Sequence, residues 1–176
     1  AIDVAGRGYS GDCTTGASCG SGPYGPGNAA VGRVAFAGGA HGGSSGHGTY
    51  GAWAAPVDVG MGGNYGSGGG EPGGDGGGKA RIVSGTIVVD GRITADGAAA
   101  SEVGQANGSG GAGGSLWLTA TSITGAGVIS ADGGAPASGT SAPGGAGGGG
   151  RVALFAQAIG VSVLILLGAW AGASST

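Results

Sequence analysis

Apolar residues recur in three aligned segments along the second half of the chain. The segments GKARIVSGTIVVDGRITADG, GSLWLTATSITGAGVISADG and GRVALFAQAIGVSVLILLGA begin at Gly78, Gly114 and Gly150, which gives a repeat period of 36 residues. Within each segment, short stretches rich in Ile, Val and Thr alternate between apolar and polar positions, as half-buried β-strands do. A fixed period of this length predicts stacked supersecondary units.

The alignment places aliphatic residues in three columns, with one member per repeat. We expect the columns to form core ladders in a parallel stack, because like strands joined by equal connectors return to the same side of a sheet. The predicted core ladders are Ile82, Leu118 and Leu154; Ile87, Ile123 and Ile159; and Ile93, Ile129 and Ile165. The predicted fold is all-β, a parallel β-solenoid-like stack of short strands in repeats 79–114, 115–150 and 151–176, the last one truncated.

Glycine-rich segments join these repeats and fill the first part of the chain. Of the 176 residues, 51 are Gly, without the G-x-y period of collagen. We expect the connectors to pack as extended polyproline-II-like or polyglycine-II-like strands; a flexible surface loop is the alternative, because ordering glycine costs much entropy. Residues 1–78 are predicted to be a glycine-rich excursion of the same single domain, with Ile2 and Val4 in an N-terminal half-coil.

The C-terminal part is unusually apolar. Residues 152–171 contain only Gln157 and Ser162 as polar side chains, which raises the alternative of a membrane helix. The repeat register disfavours a membrane span and predicts a third β coil. Polar or small positions of the earlier repeats are apolar here, so we expect a neighbouring subunit to cover them. The predicted subunit interface consists of Ile2, Val4, Val163, Leu164, Leu166, Leu167 and Trp170.

Charge and cysteine content bear on the compartment and the partners. Charged residues make up 9% of the chain and the net charge is −3, so a basic footprint for nucleic acid is absent. Cys13 and Cys19 lie in GDCTTGASCG, where a disulfide is predicted and two free thiols are the alternative. A disulfide points to an oxidising compartment. The initial Ala fits a secreted protein numbered after removal of a signal peptide.

The polar residues suggest no catalytic or cofactor chemistry. His41 and His47 are expected to be solvated loop residues, since no further ligands stand at metal-binding spacing. Glu71 and Asp75 lack the spacing of a calcium-binding loop. We therefore expect no enzyme, no catalytic residues, no metal site and no cofactor. Five aromatic residues either cover glycine backbone or stack on sugars: Tyr9, Tyr24, Tyr50, Trp53 and Tyr65.

Three further segments occur in a recognisable order: AIDVAGRGYSGDC, TYGAWAAPVDVGMGG and GGAGGSLWLTATSITGAGVISADGG. Because of this order, the chain up to about residue 155 resembles a glycine-rich repeat module of large secreted and cell-surface proteins, mainly bacterial. The resemblance implies an extracellular or cell-surface location and brings no defined biochemical activity. The apolar segment after this region departs from the usual continuation of the module.

Three functions remain open from the sequence. The leading hypothesis is a structural subunit that self-assembles head-to-tail into an extracellular filament or surface layer, so that its partner is itself. The alternative is an adhesin module that binds glycans or a surface through its glycine-rich loops. The third is an ice-binding protein, although Thr residues are not regularly laddered.

Overall fold

The computed structural model describes residues 1–11, 23–30, 37–44, 47–65, 72–101, 108–138, 144–160 and 164–166. These residues form short β-strands and one 3-10 turn, Pro26–Asn28, and they include no α-helix. The strands are β1 (Ile2–Asp3), β2 (Tyr24–Gly25), β3 (Ala29–Ala30), β4 (Lys79–Val83), β5 (Thr86–Val88), β6 (Arg92–Thr94), β7 (Ser115–Thr119), β8 (Ser122–Thr124), β9 (Val128–Ser130), β10 (Arg151–Phe155), β11 (Ala158–Ile159) and β12 (Leu164–Leu166).

Each repeat contributes three strands, which we name the first triplet (β4 to β6), the second triplet (β7 to β9) and the third triplet (β10 to β12). Equivalent strands pair in parallel, giving three-stranded sheets β4-β7-β10 and β5-β8-β11 and a four-stranded sheet β1-β6-β9-β12. The predicted all-β fold with parallel strand pairing is confirmed. The third triplet also occupies the region considered for a membrane span, and no helix among the described residues is long and apolar enough to cross a bilayer.

The ladder register coincides with the alignment of the repeats. Ile87 pairs with Ile123, which pairs with Ile159, and the other two columns pair in the same way. Leu118, Ile123 and Ile129 of the second triplet are fully buried. The expectation of a core position is wrong for Ile159 and Ile165, which are 47% and 41% exposed, because no described strand packs beyond the third triplet.

Strand β1 lies in the segment for which the sequence predicted an N-terminal half-coil. Ile2 pairs with Ile93 and thereby adds one strand to the four-stranded sheet beyond the first triplet. Val4 packs against the core cluster, and its N–H donates to the Thr94 carbonyl over 2.9 Å. Strand β1 therefore stands where the third strand of a preceding triplet would lie.

A short antiparallel hairpin interrupts the glycine-rich excursion and was not expected from the sequence. Tyr24 pairs with Ala30 and Gly25 with Ala29 across the turn. Gly27 occupies the turn with a φ of 78°, a conformation that favours glycine. The Pro-Gly-Asn sequence of residues 26–28 was the available signal, since these residue types mark tight turns.

Glycine-rich segments hydrogen-bond to one another with a period of three residues. In segment 109–114, successive N–H groups donate to three neighbouring segments in turn, and the cycle then repeats. The donor and acceptor pairs are Ser109 with Asn64, Gly110 with Gly145, Gly111 with Ala98, Ala112 with Met61, Gly113 with Gly148 and Gly114 with Ala95, at 2.7 to 3.0 Å. Carbonyls of the same segment accept from Gly74 and Gly77, from Gly39 and from Gly134. One glycine segment is thus surrounded by six backbone segments.

At glycine positions of this segment, backbone contact leaves no room for a side chain. A Cβ atom at Gly111 would lie 2.1 Å from the Asp75 carbonyl oxygen, and one at Gly114 would lie 1.8 Å from that of Gly78. Both separations are far below van der Waals contact. Glycine is therefore required here by close approach, and hydrogen bonds offset part of the entropy lost when glycine is ordered.

Candidate functional site: the two ends of the strand stack

The strand stack ends in unpaired strands on both sides. Within the described residues, β4 and β5 form the edge of their sheets on the side of the first triplet, and we name this pair the first edge. On the opposite side β10 and β11 form the last edge. Edge strands present unpaired N–H and C=O groups, which can template pairing with another chain.

Hydrogen bonds within the sheets show which groups of the first edge face outward. The Ser84 N–H donates to the Thr119 carbonyl, and the Val89 N–H donates to the Thr124 carbonyl, both toward the second triplet. Because successive backbone groups alternate along a strand, the N–H groups of Val83 and Val88 point away from the stack.

The same reasoning applies to the last edge. The Ala158 N–H donates to the Thr121 carbonyl and the Gly160 N–H donates to the Ile123 carbonyl. The N–H of Ile159, between them, therefore points away from the stack. The strands of both edges run in the same direction. Unpaired N–H donors of one edge therefore correspond in position to unpaired carbonyl acceptors of the other edge.

Exposed apolar side chains occur at both edges, and at the first edge they stand beside the exposed Lys79 and Arg81. Val83 and Val88 are exposed at the first edge, Val88 over 60% of its surface. Phe155 and Ile159 are exposed at the last edge. Natural edge strands are commonly protected by charges or proline, and Lys79 and Arg81 give β4 part of that protection. The exposed apolar residues beside them form a surface suited to association.

A cavity of about 290 Å³ lies at the first edge, beside β1. Its walls are mainly aliphatic, and its lining includes Ile2, Ile82, Ile87, Val88 and Ile93. The cavity lies next to the side of β5 that faces away from the second triplet. It is therefore an apolar recess adjoining the unpaired strands of the first edge.

His41 lies in the glycine-rich part rather than at an edge, and it is fully buried. Its Nδ1 is 3.0 Å from the Gly113 carbonyl, its ring packs 4.9 Å from that of Tyr50, and its Nε2 has no hydrogen-bond partner. Burial lowers the pKa of His41, and the Arg151 charge lowers it further, whereas the Gly113 hydrogen bond and Asp58 oppose the shift. We name segment 109–114 and the six segments around it the glycine block. The expectation of a solvated His41 is wrong, because segment 41–43 is hydrogen-bonded to Gly149 in this block.

His47 is also not fully solvated. Partial burial lowers its pKa, and its Nε2 lies 3.1 Å from the Asn64 amide nitrogen. Among the described residues, no group of three or more His, Cys, Asp or Glu side chains comes together as a metal site. Carboxylates instead bind backbone: Asp96 accepts from the Asp132 N–H at 2.8 Å, and Asp75 accepts from the Gly11 N–H at 2.8 Å.

The aromatic residues differ in their surroundings. The Tyr50 hydroxyl donates to the Val59 carbonyl, and the Tyr9 hydroxyl accepts from the Gly27 N–H. These two residues cover backbone in the glycine-rich part. Trp53, by contrast, is 80% exposed.

Several predicted residues lie outside the described residues. They are Cys13 and Cys19 of the predicted disulfide, Glu71, and Val163, Leu167 and Trp170 of the predicted interface. Leu164 and Leu166 belong to β12, and their register with Val128 and Ser130 is described. Of the other predicted interface residues, Ile2 is exposed and lines the recess, whereas Val4 is half-buried against the core.

Comparison with protein-family models, with curated proteins and with solved structures finds no match to this chain.

Proposed function

We propose that the protein is a secreted structural subunit that self-assembles head-to-tail into a filament or surface layer, at the cell surface or outside the cell. The observation that carries this proposal is the match between the first edge and the last edge: among the described strands both are unpaired, and they are parallel in direction and related by the repeat. The proposal assigns the protein a structural role rather than catalysis. The resemblance of its glycine-rich segments to those of secreted proteins supports the proposed location.

A second copy stacked along the ladder direction continues both three-stranded sheets. Its β10 lies beside β4 and its β11 beside β5, so that Phe155 of the second copy adjoins Val83 and Ile159 adjoins Ile87. These pairs extend the columns already formed within one chain. The two contacting surfaces differ, so the contact is heterologous and repeats without closing unless rotation brings it round to a ring.

We further propose that the triplets are coils of a β-solenoid and that the glycine connectors form a polyglycine-II-like bundle beside it. The three-residue period of the hydrogen bonds in segment 109–114 supports this, because polyproline-II-type helices have three residues per turn. The six surrounding segments fit hexagonal packing of such helices. A bundle of this kind stiffens each subunit through backbone bonds alone.

A mixing experiment tests the head-to-tail contact. Val88→Pro removes an outward N–H from the first edge, and Ile159→Pro removes one from the last edge, without deleting a described ladder bond. We expect the unaltered protein to form fibres in electron micrographs at neutral pH, each variant alone to remain monomeric, and an equimolar mixture to stop at dimers. Sedimentation velocity measures the distribution of oligomer sizes in the unaltered protein, in each variant alone and in the mixture.

Matched controls separate the backbone effect from the side-chain effect. Val88→Thr and Ile159→Val keep both N–H groups, and we expect both to form fibres. If the unaltered protein stays monomeric at high concentration, the filament proposal fails. If each proline variant forms fibres alone, assembly uses other surfaces.

A second candidate function, a glycan-binding adhesin, is favoured by one observation. Trp53 exposes 80% of its surface in a glycine-rich segment, and a tryptophan face that is open to solvent can stack on a sugar ring. Binding to a glycan array that is lost in Trp53→Ala, but retained in Tyr24→Phe, would support this function.

A further inference from the structure

The three sheets do not contain the same number of strands. The sheets β4-β7-β10 and β5-β8-β11 have three strands each, whereas the sheet β1-β6-β9-β12 has four. In a head-to-tail stack each copy adds three triplets. Each sheet therefore has room for three strands from every copy. One strand of the four-stranded sheet is therefore surplus at every contact between copies.

We propose that β12 leaves its sheet when two copies join, an inference that rests on the proposed head-to-tail function. When β10 and β11 of one copy pair with β4 and β5 of the next, the third triplet lies one step beyond the first. Its third strand, β12, then falls on the place that β1 occupies beside β6. Adjacent strands are about 4.8 Å apart, so two strands cannot share that place.

Strand β1 is the better anchored of the two competitors. Its ladder with β6 continues into bonds from the Val4 N–H to Thr94 and from the Gly6 N–H to Asp96, at 2.9 and 3.0 Å. The Val4 carbonyl accepts from the Gly78 N–H at 2.7 Å, which ties this segment to the glycine block. Removing β1 would break all of these bonds.

The side chain of Asp3 adds a further anchor to β1. Its carboxylate accepts from the Thr94 hydroxyl at 2.8 Å and from the Ala5 N–H at 2.9 Å. These hydrogen bonds lower the pKa of Asp3, because both stabilise the ionised carboxylate. Strand β1 is thus held by its ladder with β6, by the hydrogen bond between Val4 and Gly78, and by the side chain of Asp3.

Strand β12 has fewer described contacts. Three residues pair with β9, and the middle one, Ile165, remains 41% exposed. Within the described part of the chain, β12 closes one end of its sheet as an edge strand. Among the described ladders, release of β12 breaks only its pairing with β9. In return, β10 and β11 form two new ladders with β4 and β5 of the next copy.

Reversible disulfide locks test this strand competition. In a Cys13→Ser/Cys19→Ser background, Val128→Cys with Leu164→Cys ties β12 to β9, and Asp3→Cys with Thr94→Cys ties β1 to β6. Both pairs are ladder partners, whose Cα spacing suits a disulfide. Fibre formation by full-length protein is followed by light scattering and electron microscopy before and after reduction, with folding checked by circular dichroism.

We expect the oxidised β12 lock to slow fibre formation at least tenfold and reduction to restore the rate of the background protein. The oxidised β1 lock, in which the disulfide replaces the Asp3 anchor, should assemble as fast as the background protein. Normal assembly of the oxidised β12 lock overturns the inference, and a block by the β1 lock alone shows that β1 is the strand displaced. If the background and unaltered proteins both fail to assemble, the proposed function itself is wrong.

Discussion

Ile123 and Ile159 are neighbours in the same parallel ladder, yet Ile123 is fully buried and Ile159 is 47% exposed. The two residues have the same chemistry and the same repeat position. They differ because Ile123 has strands on both sides, β5 and β11, whereas Ile159 lies in an edge strand. Burial at a ladder position is therefore set by the neighbouring triplet, which a second copy supplies in the proposed assembly.

Alanine at these two positions should separate folding from assembly. Ile123→Ala should destabilise the monomer by about 2–5 kcal/mol, because it leaves a cavity in the core. Ile159→Ala should change monomer stability much less and weaken association by about 1 kcal/mol, roughly fivefold. Urea unfolding and sedimentation equilibrium measure the two quantities. Equal losses of monomer stability would contradict the difference in burial.

Glycine substitutions should show which positions require close backbone approach. Gly111→Ala places its Cβ 2.1 Å from the Asp75 carbonyl oxygen and should cost 3 kcal/mol or more, on the order of a severe overpacking change. Gly85→Ala is the matched control, since no atom lies within 4 Å of its Cβ, and it should be near neutral. Thermal unfolding of both variants measures the contrast, and similar melting temperatures would argue against the close packing.

Charge at the edges should make assembly sensitive to salt. Lys79 and Arg151 both pair with Ser115, one on each side, so the three residues occupy one column of the sheet. The proposed contact therefore places Arg151 of one copy beside Lys79 of the next. Like charges on adjacent strands repel, and salt screens the repulsion. Lys79→Glu should strengthen association at low salt by roughly 1 kcal/mol, and Lys79→Gln by less.

Sedimentation equilibrium at low and high ionic strength checks this prediction. For the unaltered protein, we expect association to strengthen as salt is added. For Lys79→Glu, the added salt should weaken it. The same salt response in both proteins would place Lys79 away from the contact.

Acidification should destabilise the folded subunit through His41. Its pKa in the folded state lies below the unfolded value of 6.5, chiefly because burial disfavours the charged ring. The stabilising contribution is therefore fully present above about pH 6.5 and is lost as pH falls toward the folded-state pKa. Tyr50 packs against the ring, and the groups that act on it electrostatically are Asp58, which raises its pKa, and Arg151, which lowers it.

Urea unfolding at pH 7.5 and pH 5 measures this dependence. We expect a clear fall in the free energy of unfolding for the unaltered protein and a smaller fall for His41→Asn, whose amide does not titrate. His47 also has a lowered pKa, so His41→Asn retains part of the slope. An unchanged slope in His41→Asn would assign the effect to other groups.

The repeat could be predicted because its signal is carried by side chains. Ile87, Ile123 and Ile159 align in sequence, and strand periodicity turns that alignment into a ladder register. The half-coil of Ile2 followed from the same alignment. The hairpin at residues 24–30 was missed because its strands are two residues long, although Pro26 and Gly27 carried the turn signal.

The sequence by itself determined the period, the strand positions and the pairing of equivalent strands, because apolar side chains at fixed spacing specify which faces are buried. Only the tertiary structure decided which glycine segments surround residues 109–114 and that His41 is buried among them. Glycine has no side chain to encode a neighbour. Its partners are chosen by backbone hydrogen bonds that any glycine segment can make, and the rest of the fold must bring the right segments together.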